Sequence, residues 1–195
     1  NYRFRRLFGI SGPRPSSLNY LTGPLWEGTD GALYGTAGSG GPNDQGGLFR
    51  VDKGSFEVTD IYPSGGGEQA IRRPIGGVVQ RRDGFLYGVT ERGGNADAGV
   101  FYRVRPDGTG AEIIHHFGDG PDTGEIPYYF VLGGDDVIYG SLQRGGAYGR
   151  GALFRYGETP VLAVERANGH PLANGTETID FGKKEWGAPP ESVTL

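Results

Sequence analysis

Short apolar stretches alternate along this chain with polar, glycine-rich turns. No stretch carries a sustained 3.6-residue apolar period or a good helix cap ahead of one. The pattern predicts strands throughout. The segment Asp30-Gly31-Ala32-Leu33-Tyr34-Gly35 recurs as Asp83-Gly84-Phe85-Leu86-Tyr87-Gly88 and again as Asp135-Asp136-Val137-Ile138-Tyr139-Gly140, at a period of roughly 50 residues. Behind each copy come paired glycines (Gly40-Gly41, Gly93-Gly94, Gly145-Gly146), then the runs Gly46–Arg50, Gly99–Arg103 and Gly151–Arg155. Three landmarks that keep one spacing through three copies make a repeat.

Each copy divides into four short strands. Strand A is expected at Pro24–Glu27, Gly77–Gln80 and Tyr129–Leu132, ahead of an Asp-Gly turn that supplies the positive φ of a tight hairpin. Strand B is Leu33–Thr36 and its equivalents, and strand C falls around Leu48–Val51, Val100–Val104 and Ala152–Tyr156. A second tight turn leads to strand D, Phe56–Tyr62 or Glu112–Phe117, and Tyr2–Phe8 matches strand D of a preceding copy. The expected fold is therefore all-β: a propeller-like array of three four-stranded blades, incomplete as a single closed ring. Residues 1–158 hold the three repeats (about 1–55, 56–110 and 111–158, the first and last incomplete). From Pro160 the pattern changes, and the strand-like runs Val161–Glu165 and Thr178–Gly182 read as the truncated opening of an Ig-like sandwich over 159–195.

The Asp-Gly-x-Leu-Tyr-Gly core, the Gly-Gly pair and the Gly-x-x-Phe-Arg run resemble the Gloeobacter/Verrucomicrobia-type repeat found in tandem in predicted secreted bacterial proteins. The double glycine after strand B is also similar to kelch repeats. The third copy departs most, with Asp136 in place of Gly and Ile138 in place of Leu. The Ile179-Asp180-Phe181-Gly182 strand of the tail is similar to choice-of-anchor D and ASPM-SPD-2-Hydin-type modules. The resemblance implies a blade-like fold and an extracellular or cell-surface, secreted location. It implies no particular activity.

With 39 Gly and 13 Pro the chain would read as low complexity without the repeat, but 35% hydrophobic and 12% aromatic residues are too many for disorder. A net charge of -4 from mixed signs argues against nucleic acid. The absence of Cys excludes a disulfide framework, a thiol nucleophile and a Cys-based zinc site, and the absence of Met as well suits an oxidising, extracellular setting. No apolar run approaches a membrane span. Opening at Asn1 inside a strand-like pattern, the chain reads as a mature or excised fragment.

Nothing in the sequence carries a nucleophile elbow, a metal motif or a phosphate loop, so no catalytic residue, metal ligand or cofactor is assigned. His115 and His116, adjacent on a strand, point to opposite faces and are read as structural. Calcium is the one ion considered, on the acidic loop Asp119, Asp122, Glu125, which lacks a full ligand set. Asp44 and Asp97 align between copies, but Gly149 stands there in the third. Tyr34, Tyr87 and Tyr139 are expected to pack between blades. Arg50, Arg103 and Arg155 are expected to brace Asp30, Asp83 and Asp135.

The B–C loops and the D-to-A connections share one end of an A-B-C-D meander, and long loops on a rigid scaffold are where binding resides. That end carries Arg72, Arg73, Arg92, Arg144, Tyr148 and Arg150, with Tyr20, Tyr128 and Tyr129 nearby, a set suited to an acidic or neutral glycan. Two readings stand. One is a bacterial module that binds a polysaccharide or protein partner or acts as a surface scaffold, completing its ring by self-association or further repeats. The other is part of a polysaccharide-active propeller enzyme, with Glu125 and His116 as the available acid–base candidates and its remaining catalytic residues on other blades.

Overall fold

A computed structural model of the chain describes residues 18–63, 71–120, 124–146 and 148–157. The expected strand at Tyr2–Phe8 and the expected Ig-like segment at 159–195 lie outside the described residues. Among those residues the chain forms strands and turns only, so no helix is long and apolar enough to cross a membrane. Three antiparallel sheets follow one another along the chain, and none is closed. The first joins β1 (Leu18–Glu27), β2 (Leu33–Gly40), β3 (Gly47–Val51) and β4 (Val58–Pro63) in that order. The second joins β5 (Arg72–Gln80), β6 (Leu86–Arg92), β7 (Val100–Val104) and β8 (Glu112–His116) in the same way. The third joins β9 (Glu125–Leu132), β10 (Ile138–Arg144) and β11 (Ala152–Tyr156). Four strands were expected there; three are described, and the described run stops at Gly157, directly after β11.

The Asp-Gly turn explains two recurring residues at once. Gly31 and Gly84 take φ of 78° and 84°, and Asp136 adopts the same left-handed backbone at 63°. The Asp before them accepts the N–H two residues on, from Ala32 (3.1 Å), Phe85 (3.1 Å) and Val137 (3.2 Å), which closes the turn. Its second oxygen accepts the phenol of the Tyr four residues on: Tyr34 to Asp30 at 2.9 Å, Tyr87 to Asp83 at 2.6 Å, Tyr139 to Asp135 at 2.8 Å. Burial works to raise the Asp30 carboxyl, but the bonds from Tyr34, the Ala32 N–H and Arg50 outweigh it and hold the group below its ordinary range. Burial, then the bond to Asp83, pushes the Tyr87 phenol up to about 12.

Strand A is longer than expected in every copy, beginning at Leu18, Arg72 and Glu125. Each A strand continues through a bulge, with register shifts between Thr22 and Trp26, between Ile75 and Val78, and opposite Ser141/Leu142. In the first two copies glycines form the bulge, Gly23 in the first and Gly76-Gly77 in the second. A Cβ on Gly23 would collide with the Gly76 backbone, and one on Gly76 would lie 2.7 Å from the Tyr128 carbonyl oxygen. Only a residue without a side chain lets successive A strands approach so closely.

The sheets pack in succession, β5 against β1 and β2, and β9 against β5 and β6. One core joins Tyr34 and Leu48 of the first sheet to Val78, Leu86, Val100 and Tyr102 of the second. The next joins Val79, Tyr87, Val89 and Phe101 of the second sheet to Phe130, Ile138 and Leu142 of the third. Full burial of each such side chain contributes roughly 1.5–3 kcal/mol. Tyr34 and Tyr87 thus pack between sheets as their recurrence predicts. Tyr139 does not: its face of the third sheet is open, and it is half exposed.

Polar ties repeat between sheets. The Arg73 N–H donates to the Gln45 carbonyl oxygen (2.8 Å) and the Ile126 N–H to that of Ala98 (3.0 Å), the same pair of positions one repeat apart. Both donors hold positive φ, 51° and 55°, as does their counterpart Tyr20 at 56°. Asp136 pairs with Arg81 at 3.0 Å, a largely buried ion pair, and its backbone carbonyl accepts Arg81 Nε at 2.9 Å. The third copy's departure from Gly therefore fastens the second sheet to the third.

The arginine brace forms as expected in the first copy, where Arg50 meets Asp30 at 3.1 Å. Arg103 turns instead to Glu112 at 2.7 Å, because Glu112 lies directly opposite it on β8, where the first sheet has Thr59 opposite Arg50.

Candidate functional site

The B–C loops at one end of the sheets share one backbone. Gly46, Gly99 and Gly151 donate their N–H to the carbonyls of Gly40, Gly93 and Gly145 at 2.9, 3.1 and 3.0 Å. Inside the loop Asp44, Asp97 and Gly149 stand at φ of 52°, 52° and 66°. The Asp44 and Asp97 carboxylates accept the Gly40 and Gly93 N–H groups, each at 2.8 Å. These aligned aspartates fasten loops. Gly149 serves in the third copy because glycine takes the left-handed backbone without help.

Strand pairing brings Arg72 opposite Arg92, and with them Arg73 and Glu91, against the second loop. The Arg72 guanidinium contacts Asp97, which Arg92 also approaches at 3.6 Å. Glu91 lies 3.5 Å from Arg73 and 3.9 Å from Arg92. Three guanidinium groups thus share two carboxylates and leave positive charge over. Arg72 Nε is buried without a hydrogen-bond partner among the described residues. The scaffold is firm, since the Arg73 backbone is tied to Gln45 and Asp97 is tied to Gly93.

The other three candidates lie on the third sheet and its loop. Arg144 ends β10 opposite Glu125, while Tyr148, 89% exposed, and Arg150 stand on the loop. Among the described residues no hydrogen bond or ion pair joins them to the Arg72–Arg73–Arg92 cluster. Sequence reading assembled the six by fold end and missed Glu91 and Asp97 as partners. The signal was present in Glu91-Arg92 and in the recurrence of Asp97, but it needed strand A to reach back to Arg72.

His115 and His116 point to opposite faces, paired in register with Phe101 and Val100. The His115 ring meets Phe117 edge-on at 5.0 Å, and burial with the neighbouring His116 lowers its pKa. Asp119 accepts a bond from Asn95 Nδ2 at 2.7 Å, and Asp122 lies outside the described residues. Among the described residues no three His, Asp or Glu side chains are grouped to hold a metal ion. Neither Glu125 nor His116 makes a hydrogen bond or ion pair with another described side chain.

Comparison with curated proteins finds no match. The family model of the Gloeobacter/Verrucomicrobia repeat matches residues 20–182, taking in all three turns, loops and sheets described above. The Asp–Tyr bond and the glycine-fastened loop recur through that span, and the chain belongs to the Gloeobacter/Verrucomicrobia repeat family.

Proposed function

We propose that the three sheets are blades of a propeller-like array and that the loop end of the second blade binds an acidic polysaccharide outside the bacterial cell. The observation that carries the reading is the Arg72–Arg73–Arg92 cluster, with its surplus of cationic groups over carboxylates and its buried, unpartnered Arg72 Nε. A guanidinium fork suits carboxylate and sulfate groups, which accept two parallel N–H bonds. The exposed tyrosines on the A strands, Tyr20 and Tyr128, offer ring faces to sugars at the same end. An extracellular location is supported by the family resemblance and by a chain without Cys or Met.

Arg72 is left intact in the test because its contact with Asp97 is part of the loop. Retention on an array of acidic and neutral glycans is measured for the wild type, for Arg73→Ala/Arg92→Ala and for Arg144→Ala/Tyr148→Ala. Retention by acidic glycans that falls at least tenfold in the first double variant, at unchanged melting temperature, supports the reading. Retention lost only in the second moves the site to the third loop. A wild type retained by no glycan or cell-wall fraction leaves the module as a spacer.

A further inference from the structure

We propose that the open face of the third sheet is the docking surface for the first sheet of a second copy of this chain. Each sheet presents one face to the sheet after it, through the same register positions. In the first sheet these are Trp26, Tyr34 and Leu48, and in the second Val79, Tyr87 and Phe101, all packed against the following sheet. In the third sheet the same positions are Val131, Tyr139 and Leu153, and no described residue covers them: Val131 is 63% and Leu153 86% exposed, against 6% for Val79 and 2% for Phe101. With Tyr129 and Phe130 they line an open apolar groove of about 260 Å³.

The opposite face of each sheet receives the sheet before it, through Val78 and Phe130, both buried. The matching residue of the first sheet is Leu25, 49% exposed, with Leu21 exposed beside it. The two ends of the series are therefore the two halves of one interface that already forms twice within the chain. Backbone ties point the same way. Arg73 and Ile126, at positive φ, donate to Gln45 and Ala98 in the loop of the preceding sheet. Tyr20 holds the same conformation at the front of the first sheet, and the position matching Gln45 and Ala98 in the third loop is Arg150. The docked pair places the Tyr20 N–H on the Arg150 carbonyl oxygen of the other copy.

Such a head-to-tail contact closes a ring when the rotation allows. Two copies supply six sheets, inside the four to eight blades of closed propellers, and three copies fall outside it.

The test is the mass of the full chain by light scattering and sedimentation from about 1 to 100 μM. A mass twice the 20.8 kDa of one chain is expected. Leu153→Glu and Leu25→Glu should each drop it at least tenfold in dimerisation affinity with an unchanged β-sheet circular dichroism spectrum. Val131→Lys stands in if Leu153→Glu fails to fold. Mixing the two Glu variants should restore a two-chain species, since each retains the half the other has lost. A wild type of 20.8 kDa at every concentration overturns the proposal, as when this chain's own residues cover the face. So does a dimer that breaks with Leu153→Glu but not with Leu25→Glu, which pairs two third sheets instead.

Discussion

The Asp–Tyr bond occurs three times in three degrees of burial, so replacing each Tyr by Phe isolates the effect of surroundings on one bond. Tyr87→Phe keeps a buried ring that stacks on Phe101 at 5.8 Å and lies beneath Arg81 at 5.5 Å, so it creates no cavity. What it removes is a 2.6 Å hydrogen bond to a carboxylate. Hydrogen bonds to charged partners are worth about 1.5–3 kcal/mol, and because Asp83 itself is exposed and rehydrates, the lower end applies, about 1.5 kcal/mol. Tyr139→Phe removes a bond of 2.8 Å whose two ends both face water, and surface changes of that kind stay within about 0.5 kcal/mol. Both should be measured in the Leu153→Glu background, which keeps the third face open. Urea and thermal unfolding followed by circular dichroism should then show Tyr87→Phe lowering the melting temperature by about 3–6 °C and Tyr139→Phe by about 1 °C. Alkali gives a second readout. A phenol raised from 10.0 to about 12 on folding contributes stability that is fully present below pH 10 and lost as pH rises through 12. That part of the alkaline unfolding curve should disappear in Tyr87→Phe. Equal costs for the two variants, or an unchanged alkaline curve, would refute the reasoning.

Asp44→Ala should cost about 1–2 kcal/mol in urea unfolding, since it loses the bond from the Gly40 N–H and leaves a side chain at φ of 52°. Asp44→Gly should cost only about 0.5 kcal/mol, because it reproduces the third copy's solution at Gly149. Gly108→Ala should cost about 3 kcal/mol or prevent folding, since its Cβ would fall on the Ile61 carbonyl oxygen at a φ of 84°. Gly134→Ala, with open space and an ordinary backbone, should leave the melting temperature unchanged.

Strands B and C and both families of tight turn were legible because the information is local. An Asp, a residue free to take positive φ and a Tyr within six positions make one hydrogen-bonded unit. Strand A was legible only in its second half, since the bulge at Gly23 and Gly76-Gly77 answers to the close approach of a neighbouring strand. The arginine brace failed at Arg103 because its partner is chosen by what lies across the sheet, Glu112 rather than Thr59, and register is not a local property. The candidate arginines were found in part for the same reason: Arg72, Arg73 and Arg92 meet through strand pairing, while Arg144, Tyr148 and Arg150 share only an end of the fold. The openness of Val131, Tyr139 and Leu153 is legible only in the count of repeats and not in those residues themselves. Their pattern matches that of buried residues in the other copies, and burial depends on the neighbour.

Because β1–β4 and β9–β11 both lean on β5–β8, the described part of the molecule behaves as a one-dimensional stack with nearest-neighbour coupling. Its end members are each held on one side, and the third sheet, with its apolar face in water, is the member that opens at least cost. Association would supply its second neighbour, so subunit assembly and local unfolding become a single linked equilibrium. Amide protection in β9–β11 should then rise with protein concentration while that of β5–β8 stays fixed, and the lability of the last sheet becomes the means by which the array senses whether it is alone.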